Sequence, residues 1–339
     1  MITRRTFLAS LAVVTVLASR ARTMRAAAAR DGRARPALRS RRVFAAGPPA
    51  AVLVYVLAPD ALVGWPSRLD DESLALLGRP AADLPVVGRL AGRGSTVSLE
   101  TLVQLKLDLV LDVGDVDPTY TSMAERVRAQ TGLHYELLAG RLGESAALLR
   151  QAGVLLGVPD RGATLAQSSE RLLADIIRGR AGRAVRRVYF ARGADGLETG
   201  LHGSINTEVV EFVGAQNVAS FAGTGGLTRI SLEQVLAWNP DVIVTQAGTF
   251  AKTVLSDPLW RSVAAVRARR VLVAPVAPFG WLDDPPGVNR IIGARWLAAQ
   301  LDGDRAGVDM RSDARAFYDQ FYGIRLTETQ LDHLLGSAS

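Results

Sequence analysis

Arg89 and Arg93 stand four positions apart in a glycine-rich loop, directly after the short apolar run Val86-Val87. A guanidinium presents a planar fork of N–H donors that matches a carboxylate or an oxyanion. Ligands of α/β sheets sit beyond the carboxyl ends of the strands. An arginine pair at such a place predicts contact with an anionic ligand. The same rule points to Gly47-Pro48, to Tyr120, to His202 in a glycine-rich loop, and to Trp281. The Trp281 indole would give an apolar wall to a chelate or macrocycle. Each has a plainer alternative: a solvated charge for the arginines, lobe packing for Trp281, and a satisfied polar side chain for His202.

Other chemistries lack their residues. A bare zinc or manganese site needs several nitrogen or carboxylate ligands converging. The chain has three histidines, His134, His202 and His333, and they fall in different segments. It has no cysteine, which excludes disulfides, thiolate sites, a cysteine nucleophile and a lipid-anchored N-terminal cysteine. No phosphate loop is present, and Lys106 and Lys252 are the only lysines. Neither His-Glu-x-x-His nor Gly-x-Ser-x-Gly occurs. No resident cofactor or metal is expected, and the chain reads as a binder rather than an enzyme.

The elements that must position these residues begin with a repeat. "VSLETLVQLKLDLVLDVG" starts at Val97 and "ISLEQVLAWNPDVIVTQAG" at Ile230, 133 positions later (230 minus 97). In each copy a serine, Ser98 or Ser231, suits a helix N-cap. A glutamate, Glu100 or Glu233, follows in the first turn, where negative charge complements the helix dipole. Each helix then feeds an apolar strand of the kind buried in parallel sheets, Leu109–Leu111 or Val242–Val244. Two such copies predict two similar α/β lobes. Leu165, Ser169, Leu172, Leu173, Ile176 and Ile177 keep helical spacing and predict one long helix between the lobes. Arg187–Ala191 reads as the first strand of the second lobe.

Charge is unevenly spread. The net charge is +7. Residues 1–29 carry five arginines and no acid, and residues 30–42 carry six arginines and Asp31. Each stretch thus contributes +5, which leaves −3 from Val43 onward. A mildly acidic body argues against nucleic-acid binding, which needs basic residues on the fold itself. Arg4-Arg5 before Phe7-Leu8, a short apolar core and Ala26–Ala29 read as a secretory signal of the twin-arginine type. The predicted layout is therefore a signal peptide at 1–29 and an arginine-rich spacer at 30–42. An N-terminal lobe at 43–157, a linking helix at 158–182, a C-terminal lobe at 183–301 and C-terminal helices at 302–339 follow.

Several segments in this order resemble a known family. They are "RVFAAGPPAAVLVYVLAPDALVGW", the "SLE" helix with "DLVLDVG", "GLETGLHGSINTEVVEFVGAQNVA", "SLEQVLAWNPDVIV", "DPLWRSVAAVRARRVLVAP" and "PFGWLDDPPGVNRIIGARWLAAQL". Together they are similar to the substrate-binding proteins of ABC importers, in the group that carries iron–siderophores, haem, cobalamin and, in some members, molybdate or tungstate. The resemblance covers nearly everything after the leader. It implies two Rossmann-like lobes with mainly parallel sheets, joined by one long helix, with the ligand in the cleft between them. It implies a periplasmic monomer that delivers a small molecule to a permease dimer with a cytoplasmic ATPase. It also implies that Glu100 and Glu233, one per lobe, dock on arginines of the permease. An iron chelate is the expected ligand; molybdate or tungstate, and cobalamin or haem, are the alternatives. A two-lobed chelatase is the enzyme alternative, and a receptor that only signals is another.

Overall fold

The computed structural model describes residues 42–91, 94–303 and 308–336. The signal peptide and all of the spacer but Arg42 lie outside the described residues. So does Arg93.

The first lobe is built on β1 (Val43–Ala45), followed at once by helix α1 (Pro48–Leu57). Pro48 opens that helix, where a missing N–H costs nothing. Helices α2 (Asp71–Leu77), α3 (Arg79–Ala82) and α4 (Leu99–Gln104) lead to β2 (Leu109–Gly114). Helix α5 (Pro118–Thr131) and β3 (Tyr135–Ala139) complete the sheet, whose order is β1-β2-β3, all parallel. The sequence reading had no strand at β3, because Tyr135-Glu136-Leu137 lacks an unbroken apolar run. The segment Leu62–Gly64 adds a single parallel bridge, from Leu62 to Val43.

Helix α6 (Ser145–Leu155) turns into the 21-residue helix α7 (Pro159–Gly179). The two pack closely because glycines meet: a Cβ on Gly162 would lie 2.7 Å from the Leu149 carbonyl oxygen and 3.0 Å from the Gly153 Cα. The α7 face carrying Leu165, Ser169, Leu173 and Ile176 is buried, whereas Ile177 is exposed because it points off that face.

The second lobe holds β4 (Arg187–Ala191), β5 (Glu198–Gly200), α8 (Glu208–Phe212), β6 (Gln216–Asn217), β7 (Leu227–Arg229), α9 (Leu232–Trp238) and β8 (Val242–Thr245). Helices α10 (Gly248–Val254) and α11 (Ala264–Arg267) precede β9 (Val271–Val273). Its main sheet is parallel in the order β6-β4-β8-β9, and β5 pairs antiparallel with β7. Burial on both faces explains why β4 and β8 are apolar throughout their inner residues. The chain then returns through α12 (Arg290–Asp302), α13 (Met310–Tyr322) and α14 (Glu328–Leu335). One core joins α1, α6, α7, α12 and α13, so the crossover helices brace both lobes.

The repeat is structural. Ser98 accepts from Thr101 N at 3.1 Å, and Ser231 accepts from Gln234 N at 3.3 Å. Among the described residues no helix is long and apolar enough to cross a membrane.

Candidate functional site

A cleft of about 660 Å³ opens between the lobes. Its first wall carries Pro48, Val52, Trp65, Arg68, Asp70 and Ser73. The facing wall carries Phe190, Arg192, Glu198, Gln246 and Thr249, and Phe279, Asp283 and Asp284 lie between them.

Local sequence explains each placement. Asp70 caps α2 by accepting from Ser73 N at 2.7 Å, which fixes the turn that carries Arg68. Arg68 is exposed and makes no hydrogen bond or ion pair among the described residues. Trp65 is anchored by its Nε1 donating to the Ala81 carbonyl at 2.9 Å, and its ring lies 5.8 Å from that of Phe279. Arg192 and Gln246 are the first residues past the carboxyl ends of β4 and β8. Gln246 Oε1 accepts from Asp283 N at 2.6 Å, and its amide donates to the Asp283 carbonyl at 2.8 Å. The 282–283 turn is thereby tied to the sheet.

Asp283 is the unusual group. It is 1% exposed, yet it lines the cleft. Its Oδ1 accepts from the Asn206 amide at 2.9 Å. Arg192 Nε lies 2.6 Å from Oδ2, an ion pair by distance whose angle falls outside hydrogen-bond geometry. Burial pushes the Asp283 carboxyl above its ordinary range, against the pull of Arg192 and Asn206. Arg192 also pairs with Glu198.

Of the residues singled out from sequence, Pro48 lines this cleft. Gly47 sits one residue behind it and faces Ala91. Arg89 is spent within its own loop, where its Nε donates to the Gly94 carbonyl at 3.1 Å. Tyr120, on α5, does not line the cleft; its hydroxyl titrates above the usual range, first through burial and then through Asp112, Asp115 and Asp117. His202 faces solvent with its Nδ1 2.8 Å from Glu211 Oε1. Trp281 does not form the expected cleft wall. It is wholly buried, its Nε1 donates to Tyr318 Oη at 3.0 Å, and Trp65 and Phe279 supply the apolar wall instead. Arg68, Arg192 and Asp283 were missed. Arg192 carried a usable signal, since it directly follows a strand that was read correctly. Among the described residues no three metal-ligating side chains converge.

A family model described as "Periplasmic binding protein" matches residues 57–277, a span that takes in Arg68, Arg192 and Gln246. The chain belongs to the periplasmic binding protein family. This binding protein is 31% identical over 158 residues to the molybdate-binding protein MolA of Haemophilus influenzae, a match that covers 46% of this chain and 44% of that one. The matched part is thus less than half the length of the curated relative. The fold is similar to that of an ABC transporter solute binding protein from Sulfurospirillum deleyianum, with a TM-score of 0.81 and 25% identity over 88% of this chain and 94% of that chain. It is also similar to the structure of the vitamin B12 binding protein BtuF of Vibrio cholerae, with a TM-score of 0.61 and 20% identity over 78% and 97% of the two chains. The family consists of solute-binding proteins rather than enzymes, and its compartment, the periplasm, is this protein's.

Proposed function

We propose that this protein is the substrate-binding component of an ABC importer and that it captures a compact, oxygen-rich metal complex of negative charge, an iron chelate foremost. The carrying observation is the inter-lobe cleft with one arginine on each wall, Arg68 and Arg192. Its volume of about 660 Å³ lies within the range of roughly 300–1,000 Å³ typical of small-molecule sites. Trp65 and Phe279 give the organic part of a chelate an apolar surface. Arg68 has donors to spare, because no other described residue uses them.

Molybdate or tungstate is the second reading, favoured by the similarity to MolA. Delivery would be to a permease dimer driven by a cytoplasmic ATPase. Glu100 and Glu233 are exposed at the starts of α4 and α9 and suit the docking role. The paired Arg4 and Arg5 support export by the twin-arginine route.

The test titrates the purified protein with ferric siderophores, haem, cobalamin, molybdate and tungstate, following tryptophan fluorescence, to which Trp65 in the cleft contributes. An anionic complex should bind, and Arg68→Gln should weaken it by about tenfold, or about 1.4 kcal/mol. Binding of a neutral corrinoid alone, unchanged by Arg68→Gln, overturns the anionic reading.

A further inference from the structure

Asp283 has no evident reason to be ionised where it is. A buried carboxylate is costly unless it is paired and hydrogen-bonded. Asp283 accepts one side-chain hydrogen bond, from Asn206, is helped by the backbone N–H of Asp284, and has one ion pair, with Arg192. Its Oδ2 accepts no hydrogen bond among the described residues. The cation paired with it, Arg192, is also a cation that the cleft offers to a ligand. An anion that engages Arg192 therefore competes with Asp283 for the same guanidinium.

We propose that Asp283 is a positioning and charge-balancing residue for ligand capture: it holds Arg192 toward the cleft, and it accepts a proton from solvent when an incoming anion takes Arg192 over. This rests on the anionic reading of the ligand. The proton comes from the buffer and adds to Oδ2, so the carboxyl becomes neutral as the ligand's charge enters. The cleft thereby binds an anion without stranding a second negative charge beside it.

The surroundings allow no other group to take that part. Glu198 shares Arg192, but it is only partly buried and keeps access to solvent. Asp284, next in the chain, is exposed. Gln246 and Asn206 are neutral. Arg290 lies behind, paired with Glu208; it also attracts Asp283, but it does not line the cleft. Across the cleft stand Arg68 and Asp70, the latter committed to capping α2. Burial also raises the titration of Asp283 itself.

The test is calorimetric titration of the whole protein with molybdate, tungstate and a ferric tris(catecholate), in buffers of different ionisation heat, over about pH 5 to 8. Uptake should approach one proton per anion, and affinity should fall by up to about tenfold per pH unit as pH rises. Asp283→Asn should abolish the uptake, flatten the pH profile and bind the anion several-fold more tightly at the alkaline end. Binding with no proton uptake by the unmodified protein overturns the inference and leaves the functional reading intact. An Asp283→Asn protein that binds more weakly at every pH, with uptake unchanged, overturns it too and makes Asp283 merely structural. The absence of binding by all three anions overturns the functional reading and this inference with it. The buffer series on the unmodified protein decides the matter even where the variant fails to fold.

Discussion

Asp108 and Asp241 hold the same joint in the two lobes. The carboxylate of Asp108 accepts from Arg42 N at 3.0 Å, and that of Asp241 accepts from Arg187 N at 3.0 Å. The side chains of Arg42 and Arg187 return the contact by donating to the Leu105 and Trp238 carbonyls at the ends of α4 and α9. Each lobe thus ties the start of its first strand to the turn between a helix and the neighbouring strand, β2 or β8. That turn passes through a left-handed residue in both copies, Lys106 with φ 50° and Asn239 with φ 42°.

The paired turns predict opposite outcomes for two substitutions. Asparagine tolerates the left-handed region, and Asn239 Oδ1 also accepts from Ala264 N at 2.8 Å. Asn239→Ala should cost about 2 kcal/mol, roughly half from the backbone and half from the lost hydrogen bond. Lysine has no such local bond to make at position 106. Lys106→Gly should be neutral or stabilise by up to about 1 kcal/mol. Urea unfolding of the two variants checks both signs.

Glu100 and Glu233 are fully exposed, and their carboxyls titrate below the usual range, first through their own backbone N–H groups and then through Ser98 and Ser231. Changing both to alanine should leave ligand affinity unchanged, because neither lines the cleft. Binding to the membrane subunits, and with it uptake, should fall, most clearly at low salt, where exposed ion pairs count most. Normal transport by the double variant would return both residues to a purely helical role.

Much of the fold was legible because it rests on local signals. The serine caps, the apolar strands Leu109–Leu111 and Val242–Val244 and the 3.6-residue spacing of α7 are all short-range features. The cleft was not, because it is made by residues that meet only through the fold. Asp283 stands beside Arg192 from 91 positions away (283 minus 192), and no spacing announces that. Arg89 misled for a related reason: a loop of glycines can bend back to consume its own arginine, as the Gly94 carbonyl does here. Trp281 shows the same limit, since "PFGWLDDPP" places the indole inward and Asp283, two residues on, at the cleft.

Trp281→Phe should therefore lower stability without altering ligand affinity. The indole is 0% exposed, and its N–H is spent on Tyr318 Oη. Phenylalanine leaves that hydroxyl without its donor and a gap beside it, at a cost of about 2–3 kcal/mol. A thermal melt paired with a ligand titration separates the two effects. Loss of affinity in a fully folded variant would show that Trp281 acts on the cleft after all.

Asp112 gives a pH dependence. It is 4% exposed on β2, where Tyr135 Oη donates to its Oδ2 at 2.9 Å and Val113 N reaches its Oδ1 at 2.9 Å. Burial outweighs those hydrogen bonds and raises the folded carboxyl above its ordinary value. The folded state therefore holds the proton more tightly than the unfolded chain. The resulting stability is fully present below the unfolded pKa and is lost as pH rises through the folded one. Asp112→Asn keeps the shape and removes the titration. Its stability relative to the unmodified protein should improve as pH rises through that window, as read from urea midpoints at a series of pH values.

Glu208 should be the most sensitive single position outside the cleft, because it closes a bridge between the lobes. Its carboxylate accepts from Leu142 N at 2.7 Å and pairs with Arg141, both on the first lobe. It also pairs with Arg290, which is 2% exposed and donates to the Gly140 carbonyl of the first lobe and the Ile205 carbonyl of the second. Burial pulls the Arg290 guanidinium below its ordinary range, and Glu208 is the first group that opposes this. Glu208→Gln leaves that guanidinium charged, buried and without its counter-charge. Removing one partner of such a pair costs about 3–5 kcal/mol. Ligand affinity should fall as well, because Asn206, which holds Asp283, belongs to the same loop as Ile205. A variant that unfolds within about 1 kcal/mol of the unmodified protein and binds its ligand normally would show that the α7 and α12 helices alone set the lobes in place.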